Sequence, residues 1–110
     1  MLTKRQQPDT SAPAPIGAAY IPLVGGGVAI VDAADYKRLS RYTWFLKKSK
    51  SCSYVARVVH STNSTYFVRM HRQIMHTPKH LVVHHINGLH WDNRRANLLN
   101  LTKQQHHFYH

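Results

Sequence analysis

The stretch VVHHINGLHWDNRRANLLNLTKQQH, residues 82–106, decides the fold of the C-terminal part of this 110-residue chain. Its β-branched beginning predicts a strand, the Asn-Gly pair at 87–88 predicts a turn, and LLNL at 98–101 predicts a second strand. Thr102 and Gln105 have the spacing of a capping box, in which the two side chains satisfy each other's backbone amides. The sequence therefore predicts the order strand, loop, strand, helix.

The histidines of this stretch have the chemistry that phosphodiester hydrolysis requires. His85 has an ordinary pKa near 6.5, so a neutral imidazole is available as the general base for a water molecule. His84 points to the opposite side of the strand and is a candidate metal ligand. The predicted helix supplies His106 and, one turn further, His110 as further imidazole ligands on the same face.

Acidic residues are too few for a two-metal site of carboxylates. Asp92 is the only acid after residue 35, so a single metal ion is expected. Imidazole ligands favour Zn, Ni, Co or Mn over Mg.

The charge of the chain indicates a phosphate polymer as the partner. The formal net charge is +11, and from residue 36 onward thirteen Lys and Arg stand against Asp92. Such a field attracts nucleic acid, although a ribosomal-type or merely basic protein remains an alternative. The candidate phosphate contacts, with a solvated surface as the alternative, are Arg94 and Arg95 of the loop and Arg57, Arg69 and Arg72 of the preceding strands and helix. We expect Asn93 to brace the loop through hydrogen bonds from its side chain to the backbone.

The fold class predicted for the whole chain is α+β. Residues 1–18 have the composition of a flexible tail or linker, and residues 19–78 form an N-terminal, β-rich, DNA-contacting part. That part is predicted as a hairpin around the three glycines at 25–27, a short helix capped by Asp32, an antiparallel meander of three strands, and a short helix before a proline. Residues 79–110 form the strand–strand–helix unit. The other histidines of these segments are expected to be ordinary partly buried or surface residues: His60, His71, His76 and His80.

The setting expected from composition is intracellular. Cys52 is the only cysteine, which excludes an internal disulfide framework. No apolar run is long enough to cross a bilayer, so no membrane partner is expected. We expect a cytoplasmic protein.

Residues 82–106 resemble the HNH endonuclease motif, the ββα-metal fold, in the form found in phage and intron homing endonucleases. The stretches YIPLVGGGVAIVDAADYKRLSRYTWFL and VRMHRQIM also look like the N-terminal part of such phage proteins. The resemblance implies that His85 is the general base and that Asn97 pins the loop and orients the base. It also implies that His84 and His106 are metal ligands, with His110 at the position of an additional ligand.

The implied function is metal-dependent hydrolysis of double-stranded DNA, leaving a 5′-phosphate and a 3′-hydroxyl. The family often has Asp and Asn where this chain has histidine at the two ligand positions, so the resemblance implies Mg or Mn, whereas the histidines themselves suit Zn or Ni. Two alternatives are a catalytically idle HNH-like DNA-binding module and a structural zinc protein. RNA as the substrate and a homodimer that cuts both strands also remain open.

Overall fold

The computed structural model describes residues 8, 10–50 and 52–108, and these residues form the predicted α+β fold. Within them lie seven strands, all paired antiparallel in three small sheets, and three short helices. The elements are, in chain order, β1 (Ala18–Pro22), β2 (Val28–Asp32), α1 (Ala33–Leu39), β3 (Phe45–Lys48), β4 (Ser53–His60), β5 (Thr65–Arg69), α2 (Met70–Met75), β6 (Leu81–His85), β7 (Leu98–Thr102) and α3 (Lys103–His107).

The N-terminal segment begins with the predicted hairpin of β1 and β2, followed at once by α1. Asp32 occupies the N-cap position of α1, but its side chain makes no capping hydrogen bond. Its carboxylate instead accepts the backbone N–H of Arg95 at 3.0 Å. The prediction that Asp32 caps α1 is therefore wrong for its side chain, because a loop distant in sequence offers that carboxylate another donor.

The three strands β3, β4 and β5 form the predicted meander, with β4 in the centre. The helix α2 follows β5 directly and packs against β4 and β6. It ends at His76, whose φ of 49° is a left-handed conformation that stops the helix two residues before Pro78. The meander and α2 thus lead the chain straight into the C-terminal unit.

The C-terminal unit has the predicted order strand, strand, helix. In the β6–β7 pair, His84 lies opposite Leu99 and His85 lies opposite Leu98. The capping box of α3 is confirmed, since Gln105 N–H donates to Thr102 Oγ1 at 3.0 Å and Thr102 N–H donates to Gln105 Oε1 at 2.9 Å.

One hydrophobic core joins the N-terminal and C-terminal parts. Ile21 and Val31 of the first hairpin, Trp44, and Met70 of α2 belong to the same buried cluster as Val83 of the β6–β7 pair. Each such side chain contributes roughly 1.5–3 kcal/mol when it is fully buried. The C-terminal unit therefore shares its hydrophobic core with the N-terminal part.

Backbone pairing also connects strand β2 with the loop between β6 and β7. Ile30 N–H donates to the carbonyl of Trp91 at 3.0 Å, and Asn93 N–H donates to the carbonyl of Ile30 at 2.8 Å. The N-terminal hairpin thereby fixes the middle of a long loop that would otherwise have few backbone partners.

Two further predictions concern the chain outside these elements. Of the segment 1–18, residues 1–7 and 9 lie outside the described residues, and β1 already begins at Ala18. In the part of the chain that the structure describes, no helix is long and apolar enough to cross a membrane.

Candidate active site

A cavity of about 480 Å³ lies where β6 meets α2, α3 and the start of β4. The residues of its wall that bear on the chemistry are Arg69, His71, His84, His85, His90 and His106. The packing of α2, β6 and α3 thus brings together histidines that are up to 35 residues apart in sequence.

His85 is held at the last position of β6 by one side-chain hydrogen bond. Its Nε2 lies 2.8 Å from Oδ1 of Asn93. An amide oxygen can only accept a hydrogen bond, so Nε2 must carry the proton and Nδ1 must carry the lone pair. His85 is therefore set in the tautomer in which Nδ1 is the basic atom.

The protonation state of His85 also suits a base. Burial lowers its pKa below the ordinary value, and this effect outweighs the hydrogen bond that His85 donates to Asn93 and the charge of Asp92, both of which raise that pKa. The imidazole is consequently neutral near pH 7, and it is ready to accept a proton.

Asn93 is completely buried, and its side chain contacts residues outside the loop. Besides accepting from His85, it donates from Nδ2 to the sulfur of Met70 at 3.3 Å. Its backbone N–H is bound by Ile30 of β2. We predicted hydrogen bonds from this side chain to the backbone, whereas the structure directs it to the side chains of the base and of α2.

Asn97 holds the loop together at its far end. Its Oδ1 accepts the backbone N–H of Asn87 at 2.9 Å, and its Nδ2 donates to the Asn87 side chain and to the Asp92 carbonyl, each at 2.9 Å. Asn97 thus holds the two ends of the loop together, while the residue that accepts the side-chain hydrogen bond of His85 is Asn93.

Asp92 completes the internal bonding of the loop. This buried carboxylate accepts from Arg94 at 2.8 and 2.9 Å and from the side chain of Asn87 at 2.8 Å. Burial alone would raise its pKa, but the hydrogen bonds from Arg94 and Asn87 outweigh burial and hold that pKa below its usual value. The only acid of the C-terminal unit is therefore an ionised structural group, and it does not line the cavity.

His84 and His106 are the two predicted metal ligands that the structure brings together. Their ring centroids are 5.4 Å apart with an angle of 69° between the ring planes. Imidazole nitrogens bind Zn at about 2.0–2.1 Å, so two rings at this spacing can serve one ion. His110 lies outside the described residues, and within those residues no three His, Cys, Asp or Glu side chains gather into a metal site.

The loop arginines are engaged in ion pairs with carboxylates of the chain. Arg94 pairs with Asp92, and Arg95 donates through Nε and a terminal nitrogen to Asp35 of α1 at 3.0 and 2.9 Å. Arg38 also pairs with Asp35 at 2.9 Å. The side chains of Arg94 and Arg95 remain 38% and 48% exposed, but neither lines the cavity.

The three arginines of the preceding elements divide into two groups. Arg57 donates to Gln73 at 2.9 Å and lies over the ring of Tyr42, away from the histidines. Arg69, stacked over Tyr54 at 4.5 Å, and Arg72 line the cavity. Arg72 additionally donates to the carbonyls of Leu81 and Pro78 at 2.7 and 2.8 Å, which connects α2 to the start of β6.

Two further histidines of the cavity wall, His71 and His90, were not predicted from the sequence as site residues. The ring of His71 packs edge to face on His85 with the centroids 5.3 Å apart. Nothing in the sequence around His71 distinguishes it from an ordinary helix histidine, because the contact arises only when α2 packs against β6.

The arrangement defines a ββα nuclease-type unit: a neutral, oriented histidine ends the first strand, and a histidine of the following helix meets the neighbouring histidine of that strand. The model of the HNH endonuclease family matches residues 76–108, and this match confirms the resemblance of that stretch to the HNH motif. The match covers less than a third of the chain. No curated protein and no solved structure matches this chain. The motif indicates nuclease activity on nucleic acid, and endonucleases of this family generally use a divalent metal ion.

Proposed function

We propose that this protein is a metal-dependent endonuclease that hydrolyses phosphodiester bonds of double-stranded DNA with His85 as the general base. The observation that carries the proposal is the tautomer of His85, whose basic Nδ1 is left unprotonated by the hydrogen bond from Nε2 to Asn93. The His84–His106 pair lies on the wall of the same cavity. One cavity thus contains both the base and the donors that a metal ion needs.

In the proposed reaction, Nδ1 of His85 removes a proton from a water molecule as its oxygen attacks phosphorus. The bond from phosphorus to the 3′ oxygen breaks, and the leaving oxygen takes a proton from a solvent water, which gives a 5′-phosphate and a 3′-hydroxyl. Asn93 stabilises the imidazolium that forms, because its amide oxygen keeps accepting from Nε2. A metal ion held by His84 and His106 would supply positive charge to the scissile phosphate and to the leaving oxygen.

The donor set favours some metals over others. Two imidazoles without a carboxylate favour Zn, Ni, Co or Mn over Mg, although Mg or Mn is the expectation from the family resemblance. His110 as an additional ligand stays a prediction.

Substrate contacts are proposed first for the arginines of the cavity wall. Arg69 and Arg72 lie beside the histidines, and the net charge of +11 draws a phosphate backbone toward them. Arg57, Arg94 and Arg95 remain predicted contacts. A guanidinium has five N–H groups, so an arginine that already has an intramolecular partner can still donate to a phosphate from its exposed edge.

One cavity serves one strand at a time, so a monomer is expected to nick DNA, and a homodimer is the arrangement that would cut both strands. We further expect the protein to act in the bacterial cytoplasm, as a protein of the bacterium or of a phage that infects it.

The experiment is cleavage of supercoiled plasmid by the purified protein with Mg, Mn, Ni or Zn, and with EDTA. His85→Ala removes the base, and His60→Ala is the matched control, because His60 is an exposed histidine bonded only to Thr65 among the contacts observed for it. We expect metal-dependent relaxation by the wild type and by His60→Ala, and a loss of about 10²-fold or more for His85→Ala.

Three other results would lead to different conclusions. Equal cutting by His85→Ala would reject the base. DNA binding without cutting under every metal would favour the idle binding module. Faster hydrolysis of an RNA duplex of the same sequence would change the substrate. The ratio of open-circular to linear product separates nicking from double-strand cleavage.

A further inference from the structure

His71 lines the cavity but has no role in the mechanism proposed above. It lies in the first turn of α2, it is only 8% exposed, and its ring packs edge to face on His85 with an angle of 78° between the planes. It therefore lies beside the base, and it shares the cavity with His84 and His106.

His71 is uncharged under ordinary conditions. Burial is the largest cause, and the nearby His85, Arg69 and Arg72 add to it, lowering the pKa of His71 to about 3. A neutral imidazole has one N–H donor and one lone pair, so the two ring nitrogens have different functions.

The surroundings of Nδ1 indicate which ring nitrogen of His71 carries the proton and which carries the lone pair. Nδ1 is buried and has no hydrogen-bond partner among the described residues. Buried N–H groups are almost always paired, whereas an acceptor is more often left unpaired, so the favoured tautomer has the lone pair on Nδ1 and the proton on Nε2. Since Nδ1 is enclosed, Nε2 is the nitrogen through which the ring can reach the cavity, and it arrives there as a donor.

Two uses of the ring are thereby disfavoured. A metal ion at Nε2, or a proton accepted there from water, would require the ring to carry a proton on Nδ1, where it would be a buried donor without a partner among the described residues. Packing does not require a histidine here either. An unpaired buried polar atom costs about 1–3 kcal/mol, which an apolar side chain of similar size would avoid. The remaining use is donation to an acceptor that enters the cavity.

We propose that His71 is a substrate-binding residue, whose neutral Nε2–H donates a hydrogen bond to a non-bridging oxygen of the phosphate that is attacked beside His85. The proposal rests on the proposed phosphodiesterase function. Negative charge accumulates on those oxygens in the transition state, and a donor already fixed on the cavity wall stabilises it without reorganisation. Because His71 is neutral, it adds this stabilisation without repelling a metal ion held at the neighbouring histidines.

The test compares two replacements of His71 in the full chain. His71→Phe keeps an aromatic ring against His85 but has no donor, whereas His71→Gln offers an amide N–H near the position of Nε2. Single-turnover cleavage of a labelled duplex, at saturating metal and protein, isolates the chemical step. We expect His71→Phe to cleave about 10²-fold more slowly at an unchanged or higher melting temperature, and His71→Gln to recover most of that loss.

The proposal would be overturned if His71→Phe cleaved at the wild-type rate. It would also be overturned if His71→Phe and His71→Gln lost the same fraction of the single-turnover rate. If His71→Phe does not fold, His71→Leu takes its place in the same comparison. Failure of the endonuclease function is recognised separately, as no cutting by the wild type or no difference from His85→Ala.

A second measurement does not depend on cleavage. Long-range ¹H–¹⁵N correlation spectra of the ¹⁵N-labelled protein at pH 7 report the tautomer of each histidine. We expect the pattern of a proton on Nε2 for His71, and a proton on Nδ1 or on both nitrogens would contradict the proposal.

Discussion

The loops that connect β1 to β2 and β6 to β7, residues 23–27 and 86–97, are held in different ways. The short loop between β1 and β2 contains three glycines with positive φ, and it is closed by backbone hydrogen bonds alone among the contacts observed for it. The long loop between β6 and β7 has a backbone hydrogen bond across its ends, from Ile86 N–H to the carbonyl of Asn97 at 2.8 Å, and in addition the amide and carboxylate side chains of Asn87, Asp92 and Asn97. The short loop only reverses the chain, whereas the long loop carries Asn93 to the base.

The difference shows what a loop needs in order to position a catalytic group. Polar side chains within the loop satisfy the backbone, and strand β2 then fixes its middle through Ile30. Asp35 of α1 holds Arg95 on the far side of the loop. The N-terminal part is thus a support for the candidate active site as well as a candidate DNA-contacting surface.

The largest effect is expected for Asn97→Ala. This change removes three hydrogen bonds that close the long loop, and at about 1 kcal/mol each the free energy of unfolding should fall by roughly 2–4 kcal/mol. Cleavage should fall close to background, since the same loop positions Asn93. Denaturant unfolding and plasmid cleavage measure the two quantities. Unchanged stability would show that the loop is held mainly from outside, by β2.

Asn93→Ala should affect chemistry more than folding. Without the acceptor at Nε2, His85 loses its fixed tautomer, and the single-turnover rate should fall about 10²-fold, with a smaller loss in substrate affinity. The matched control is Asn100→Ala, which removes an amide bonded at 2.7 Å to Thr77 and not to the base. The control should lose about 1 kcal/mol of stability and keep the wild-type rate. Equal rate losses in both variants would remove Asn93 from the mechanism.

Asp35→Asn tests the support from α1. The hydrogen bonds from Arg95, together with those from Arg38, outweigh burial and hold the pKa of Asp35 below its usual 3.8. A lowered folded-state pKa contributes stability above pH 3.8, and that stability is lost as the pH falls through the folded-state value.

The isosteric amide of this variant removes the charge, so the variant should be about 1–2 kcal/mol less stable than the wild type at pH 7. The gap should narrow below pH 4. Thermal melts of both proteins between pH 7 and pH 2 provide the comparison, and a gap that widens in acid would contradict this assignment of the ion pair.

Gly26→Ala, in the short loop, should have the smallest effect. Gly26 has a φ of +117°, which an alanine adopts only with strain, although open space surrounds the position. We expect a loss of about 1 kcal/mol in stability and no change in cleavage rate once the protein is folded. A loss of activity at full folding would show that the short loop also takes part in the function.

The sequence by itself determined the C-terminal unit and most of the N-terminal elements, because their signals are local. Hydrophobic alternation, the Asn-Gly turn and the capping box at Thr102 act within a few residues, and the structure contains each of them. The same short-range pattern carried the recognition of the HNH motif, and it singled out the histidines at 84, 85 and 106.

Only the tertiary structure decided which side chains meet. The partner of His85 is Asn93, the neighbour of His85 is His71, and the carboxylate that holds Arg95 lies 60 residues away on α1. These contacts depend on packing α2 and the first hairpin against the long loop around one shared core. The physical reason is that local periodicity specifies the face that an element buries, whereas the atoms that touch across that face are set only when the elements pack together.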